Sequence, residues 1–321
     1  MSKIFRIGTR DSQLALWQAT RVQHLLKKQG IAADLVPVKS EGDLDLATPL
    51  YAMGVQGIFT RSLDQALLNH RIDMAVHSMK DVPVQLPKGI VEAAVLERDS
   101  PYDILVLREE TADSFSSHHA TALIASSSLR RKSQWLHRFP DDRIEPIRGN
   151  VNTRLKKLSE SHWQGAIFAE AGLERIGLRP PNAIELEWMI PAPAQGALLV
   201  LCRGNDKELL ESCAKLNDAR TAFSVKIERD FLSALMGGCS TPIGALAEIE
   251  NEEVYFRGNL TSMDGKKQAF IEKSVSVELA ASLGTSAAPE LLENGGMEIL
   301  KEIKNDCPPL QHIVYRFDGY N

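Results

Sequence analysis

No stretch of this 321-residue sequence offers the roughly 20 consecutive apolar residues of a membrane-spanning helix. The N-terminal "MSKIFRIGTRDS" runs straight into charged residues without the apolar segment of an export signal, so a cytoplasmic, membrane-free protein is expected. Cysteine is scarce. The four, Cys202, Cys213, Cys239 and Cys307, form no C-x-x-C pair and have no histidine at zinc spacing, so neither a disulfide framework nor a metal site is expected. Basic residues form no long run and the net charge is -5, which argues against a nucleic-acid surface.

What is present is an ordinary soluble composition, 44% hydrophobic and 25% charged, which excludes a disordered or collagen-like chain. The length exceeds one core and implies two or three domains. "FRIGT" reads as a strand, followed by an amphipathic helix from about Ser12 to Gln29 that Asp11 or Ser12 can cap and Gly30 can end. "ADLVPVKS" and "DMAVHS" read as strands, with "FTRSLDQALLNH" helical between them. After "LERDSPYD" a new unit begins at "DILVL". In it "TALIAS", "IEPIRG" and "GAIFAE" each lead through a short corner into a helix. Alternating strands and helices predict sheets flanked by helices. "ALLVLCR" is a buried strand, and Cys213 shares a helical face with Leu209 and Leu216, so Cys202 and Cys213 read as core residues. In a third unit the helix "RTAFSVKIERDFLSAL" precedes "MGGCSTPIG". Antiparallel strands "EVYFRGNLTSMDG" and "QAFIEKSVSV" and a single last helix, "AAPELLENGGMEILKEIKN", follow.

Arginines mark the corners: Arg10 in "GTRDS", Arg130 and Arg131 in "SSSLRR", Arg148 in "IRGN", Arg154 in "NTRL" and Arg175 in "LERIG". Helix starts already favour anions, and guanidinium adds bidentate pairing with carboxylates. Ligands of α/β sheets gather beyond the carboxyl ends of strands, so these arginines are expected to converge on one cleft that holds a small polyanion. Two further features stand out. Cys239 sits among Gly237, Gly238, Ser240 and Thr241, a turn with little bulk in which a thiol can react. "VHSMKDVP" ends an apolar strand in an adjacent Lys80–Asp81 pair and a proline.

With "IGTRDSQLALWQA", "VHSMKDVP", "SSSLRRKSQ", "RGNVNTRL", "AGLERIGL", "PAPAQGAL" and "GGCSTPIG" in one order over about residues 4 to 245, the sequence resembles the porphobilinogen deaminase family. The resemblance implies two periplasmic-binding-protein-like α/β domains flanking a cleft and a smaller C-terminal α+β domain. The expected boundaries are 1–97 with 197–215 for the first, 98–196 for the second and 216–321 for the third. It implies a monomeric, metal-free enzyme that joins four porphobilinogen molecules head to tail with release of ammonia. The product is hydroxymethylbilane, built on a dipyrromethane cofactor held covalently by Cys239.

On this resemblance Asp81 is the catalytic carboxylate, aided by Lys80. Ser78, Lys80, Ser127, Ser128, Arg130, Arg131 and Arg154 attend the cofactor. Arg10, Ser12, Gln18, Phe59, Arg148, Arg154 and Arg175 attend the substrate. Phe59 either stacks on a pyrrole ring or packs at a helix start, and Gln18 either binds ligand or faces solvent. His77 and Ser78 shape the strand end rather than form a catalytic pair, since no acidic partner for a serine triad is evident. The chain departs from the family pattern at Ala52 and Gln56, where lysines are usual, at Ala194, usually glycine, and at Leu201, commonly acidic. The alternative reading is a catalytically impaired or non-enzymatic bilobal anion-binding protein. A cysteine hydrolase built on Cys239 lacks a convincing histidine or asparagine motif.

Overall fold

The computed structural model describes residues 3–39, 60–109, 121–235 and 241–306. The first of its three sheets holds β1 (Phe5–Thr9), β2 (Ala33–Pro37), β3 (Met74–Ser78), β4 (Ile90–Val95) and β10 (Leu198–Arg203) in the order β2-β1-β3-β10-β4. The second holds β5 (Asp103–Leu107), β6 (Leu123–Ala125), β7 (Arg143–Glu145), β8 (Gly165–Ala169) and β9 (Ile184–Glu185) in the matching order β7-β6-β8-β5-β9. Four strands of each sheet run in one direction and the other, β10 or β5, runs antiparallel to both its neighbours. Each of these two follows directly after the chain crosses between units. Both are buried along their whole length, which is why they read as nearly unbroken apolar runs.

Helix α1 (Gln13–Lys28) follows β1, and Ser12 rather than Asp11 caps it, its Oγ accepting from Ala15 N at 3.4 Å. Helix α2 (Arg61–Leu68) precedes β3. Helices α3 (Leu129–Arg138), α4 (Val151–Glu160) and α5 (Glu170–Glu174) open beyond the carboxyl ends of β6, β7 and β8, while α6 (Lys207–Ala214) returns along the first sheet. Cys202 and Cys213 are fully buried in the first core, and burial pushes their thiols up to about 11 and about 12, as inert core residues require.

The smaller C-terminal unit is an antiparallel meander of β11 (Ile243–Glu250), β12 (Glu253–Thr261) and β13 (Gln268–Ser276). Its core packs α7 (Ala219–Ala234) and α8 (Leu283–Leu291) against the sheet, with Phe231 and Phe256 edge to face at 5.1 Å. Two sequence expectations need correction. The last helix is broken: α8 and α9 (Met297–Asp306) are separated by a turn in which Asn294 leaves helical geometry and Gly295 takes φ 95°. "IEPIRG" is strand only to Glu145, because Pro146 has no N–H for a ladder. Strands β4, β9 and β11 were not anticipated.

The two crossing segments lie side by side and are tied together. Arg98 Nε donates to Gln195 O at 2.8 Å, and Asp99 N donates to Gly196 O at 3.2 Å. Gly196 has φ 88°, and a Cβ there would come within 2.5 Å of Asp99 O, so only glycine fits. Ala194 also lies in the left-handed region at φ 62°, a conformation that costs a non-glycine residue about 1–2 kcal/mol. Glycine adopts it freely, which accounts for the residue usual at this position. Leu201, the other described departure, is fully buried in the core between β3 and β4.

A buried carboxylate joins the C-terminal unit to both crossing segments. Glu228 on α7 is fully buried. It accepts from Arg98 Nη1 at 2.6 Å, from Ala194 N at 2.6 Å and from Ala247 N at 2.9 Å. Removing it strands two buried backbone donors and takes the paired charge from the part-buried Arg98 guanidinium. Glu228→Ala should therefore lower unfolding free energy by about 3–5 kcal/mol, measured by urea denaturation. A loss below about 1 kcal/mol, the value of an exposed pair, would contradict this role.

Candidate active site

Strand β3 ends at Ser78 and the chain makes one tight 3-10 turn, Met79–Asp81, closed by Val82 N donating to Met79 O at 3.1 Å. Sequence reasoning assigned the direction of this turn to Val82 and Pro83. The structure adds a clamp from the C-terminal unit. Arg229 on α7 donates to Val82 O at 3.0 Å and to Pro83 O at 2.9 Å, tying the turn that carries Asp81 to the helix leading toward Cys239. Arg229 is buried. Its only sequence signal is a charge on an otherwise inward-facing part of a helix.

Asp81, half-buried, lines a cavity of about 70 Å³ with Arg10, Ser12, Gln18, His77 and Ser78. The cavity lies where the start of α1 meets the end of β3. Gln18 is buried and its Nε2 donates to Ser78 Oγ at 2.8 Å, so of its two expected orientations the solvent-facing one is excluded. His77 is buried, and burial together with the nearby Arg10 charge holds its imidazole down at about 4.

Across the cleft, Ser128 caps α3 by accepting from Arg131 N at 3.4 Å. Ser127 Oγ donates to Ile147 O at 2.7 Å and accepts from Ile147 N at 2.9 Å, fixing the corner that leads to Arg148. Arg130 and Arg131 are buried, and sequence reasoning missed what holds them: Asp103, the first residue of β5, with no exposed surface. Arg131 donates to Asp103 Oδ1 at 3.0 and 2.7 Å, and Arg130 Nη2 is 2.8 Å from Oδ2. Burial alone would raise the Asp103 carboxyl, but Arg130, Arg131 and Lys80 outweigh it and hold it far below the usual carboxylate range. A charge at the head of "DILVL" was the available signal, since a buried charge requires a partner.

Gln195 connects the two sides. Its Nε2 donates to Asp103 Oδ1 at 2.9 Å and its Oε1 accepts from Lys80 Nζ at 3.0 Å. Arg154 lies close enough to Arg131, Arg148 and Asp81 to interact with all three, and its Nε donates to Gly149 O at 2.8 Å. Arg175 stands apart from this group. It donates to Asp99 Oδ2 at 2.7 Å and Gly196 O at 2.6 Å and lies over the Trp17 ring, bracing the crossing segments. A bond from Asn152 Nδ2 to Gln13 Oε1 at 2.8 Å spans the cleft between α4 and α1. Phe59, Cys239, Ala52 and Gln56 lie outside the described residues.

Positive charge is in surplus around Asp81. Burial, then Arg131, lower Lys80 to about 8, only partly offset by Asp81 and Asp103. Burial, then Arg131 and Arg148, lower Arg154 to about 10 against the pull of Asp81. Added anions would relieve that repulsion, so the donor set fits a ligand rich in carboxylates. An anion binds the protonated lysine better and raises its pKa, so affinity falls as pH rises from the ligand-free value. Glutarate, a small dicarboxylate probe, should bind more weakly above about pH 8. Lys80→Met should bind it weakly throughout and lose that dependence. Calorimetric titration from about pH 6.5 to 9.5 reads both effects, and an unchanged profile in the variant would contradict the assignment.

Among solved structures, the chain is similar to the periplasmic VFT2 domain of BvgS from Bordetella pertussis, with 11% identity and a TM-score of 0.41 over 66% of this chain and 86% of that one. It is similar to an arginine-specific periplasmic binding protein from Salmonella typhimurium, with 12% identity and a TM-score of 0.40 over 69% and 94%. A probable amino-acid transporter extracellular-binding protein from Bacillus subtilis gives 12% and 0.39 over 67% and 90%. Family models cover far more with specific content. Residues 5–211 match the porphobilinogen deaminase dipyromethane cofactor binding domain and residues 222–293 match the porphobilinogen deaminase C-terminal domain, so the chain belongs to the porphobilinogen deaminase family.

Proposed function

We propose that this protein is a hydroxymethylbilane synthase that condenses four porphobilinogen molecules head to tail and releases one ammonia for each. The observation that carries the reading is the position of Asp81. It is shared between a small polar cavity and a cluster of cations that reaches it from two α/β units. Porphobilinogen bears acetate and propionate groups, for which Arg10, Arg148 and Arg154 are suitable partners.

The dipyrromethane cofactor, when bound through Cys239, supplies a pyrrole α-carbon as the nucleophile. Lys80, Ser127, Ser128, Arg130, Arg131 and Arg154 form the cationic and polar face suited to its carboxylates, with Ser78 at the edge. Loss of ammonia from porphobilinogen leaves an azafulvene whose ring nitrogen gains positive character. Asp81 provides the fixed negative charge beside that nitrogen and can carry its proton. Lys80 and Arg154 lie within electrostatic reach of Asp81, and Arg229 fixes its turn. Arg175 acts through the crossing segments, and Phe59 serves by stacking. The enzyme works as a cytoplasmic monomer without a metal ion.

Asp81→Asn keeps the shape of the side chain and removes its charge. Ammonia release from porphobilinogen should fall by about two to three orders of magnitude, the usual size of one electrostatic contact to a transition state. Thermal unfolding should hardly change. Near-normal release in the variant would contradict the role of Asp81, and porphobilinogen binding without any release in wild type would favour the anion-binding alternative.

A further inference from the structure

His77 has no part in the chemistry above, yet it lines the Asp81 cavity and is 6% exposed. Its Nε2 is buried with no hydrogen-bond partner. Buried polar atoms are nearly always paired, so an orphan beside a cavity calls for a ligand. A residue that merely filled space could be apolar.

The cavity's other groups narrow the identity of that ligand atom. Arg10 is a donor only. Ser12 Oγ accepts from the start of α1, and Ser78 Oγ accepts from Gln18. Those hydroxyls and Gln18 Oε1 keep further lone pairs, but a neutral imidazole nitrogen is more basic than a hydroxyl or amide oxygen, so Asp81 and, in its Nδ1–H tautomer, His77 are the stronger acceptors for a cation. The reading above places Asp81 at the pyrrole ring nitrogen, which leaves the imidazole for the other nitrogen of the substrate, its aminomethyl group. That group is an ammonium at neutral pH.

We propose that His77 is the neutral acceptor that recognises the substrate's aminomethyl ammonium, and that it sets the preference for an amine over other leaving groups. The inference rests on the deaminase reading. Burial and Arg10 keep the imidazole uncharged at neutral pH, so it offers a lone pair without a repelling proton. When the C–N bond breaks, its electron pair leaves with nitrogen, the ammonium departs as ammonia, and the positive charge passes to the ring beside Asp81. A carboxylate at the position of His77 would hold the ammonium more strongly than the ammonia and oppose departure. A neutral acceptor binds the substrate and opposes it far less.

The test compares porphobilinogen with its hydroxymethyl analogue in wild type, His77→Phe and His77→Gln. With porphobilinogen, His77→Phe should raise KM about tenfold, the size of one hydrogen bond to a charged group, and leave kcat within about twofold. The analogue, whose leaving group is uncharged, should lose about threefold or less in kcat/KM. His77→Gln, which restores an acceptor, should recover most of the amine preference. If His77→Phe fails to fold, His77→Leu against His77→Gln gives the same comparison. Equal losses for both substrates would make His77 a packing residue, and a fall in kcat at constant KM would make it a proton-transfer group; either overturns the proposal alone. A wild type that releases no ammonia overturns the deaminase reading, and this inference with it.

Discussion

The fully buried carboxylate of Asp103 is the contact on which the site depends. Two guanidiniums placed side by side at a helix start would repel each other and pay a large desolvation cost. Asp103 supplies the opposing charge, and Gln195 carries the connection on to Lys80 and hence to the turn of Asp81. Asp103 opens β5, the strand that follows the first crossing between units, while Gln195 lies in the return crossing. The arginine face and the crossing segments are therefore one hydrogen-bonded structure. A change in the angle between the units would act on Lys80 and the arginine pair together.

Two buried contacts bring the C-terminal unit into the same arrangement. Glu228 ties α7 to both crossing segments, and Arg229, next in sequence, ties it to the turn after β3. These neighbours carry opposite charges and point to different partners. One helix thus holds the crossing segments and the turn of Asp81 at once, and Cys239 follows it in sequence. The proposed function, with Cys239 holding the cofactor and Asp81 acting as the catalytic carboxylate, calls for a rigid connection of this kind.

Much of this was legible in the sequence where local rules decide the outcome. The period-two and period-3.6 patterns located most elements, Ser12 capped its helix, and the arginines at the corners of β6 and β7 entered the Asp81 neighbourhood as their positions implied. What escaped were the partners. The run "DILVL" announces a strand and gives no hint that its aspartate holds two arginines 27 and 28 residues onward. Glu228 and Arg229 sit in a helix whose pattern shows only that both are charged. Arg175 matched the corner rule yet braces the crossing segments, because Asp99 and Gly196 O lie nearer to it than the arginine cluster. Long-range pairing of single charges has no period to read. Elements without a clean pattern were likewise missed, such as the short edge strand β9, and Gly295 broke a helix that apolar spacing alone would have continued.

The central claim is that this cationic cleft serves a covalently primed synthase. The most direct measurement is the intact mass of the denatured protein, wild type beside Cys239→Ser. The account predicts that wild type exceeds its sequence mass by two linked pyrrole units and that the variant carries no addition. An unmodified wild type, even after incubation with porphobilinogen, would contradict it.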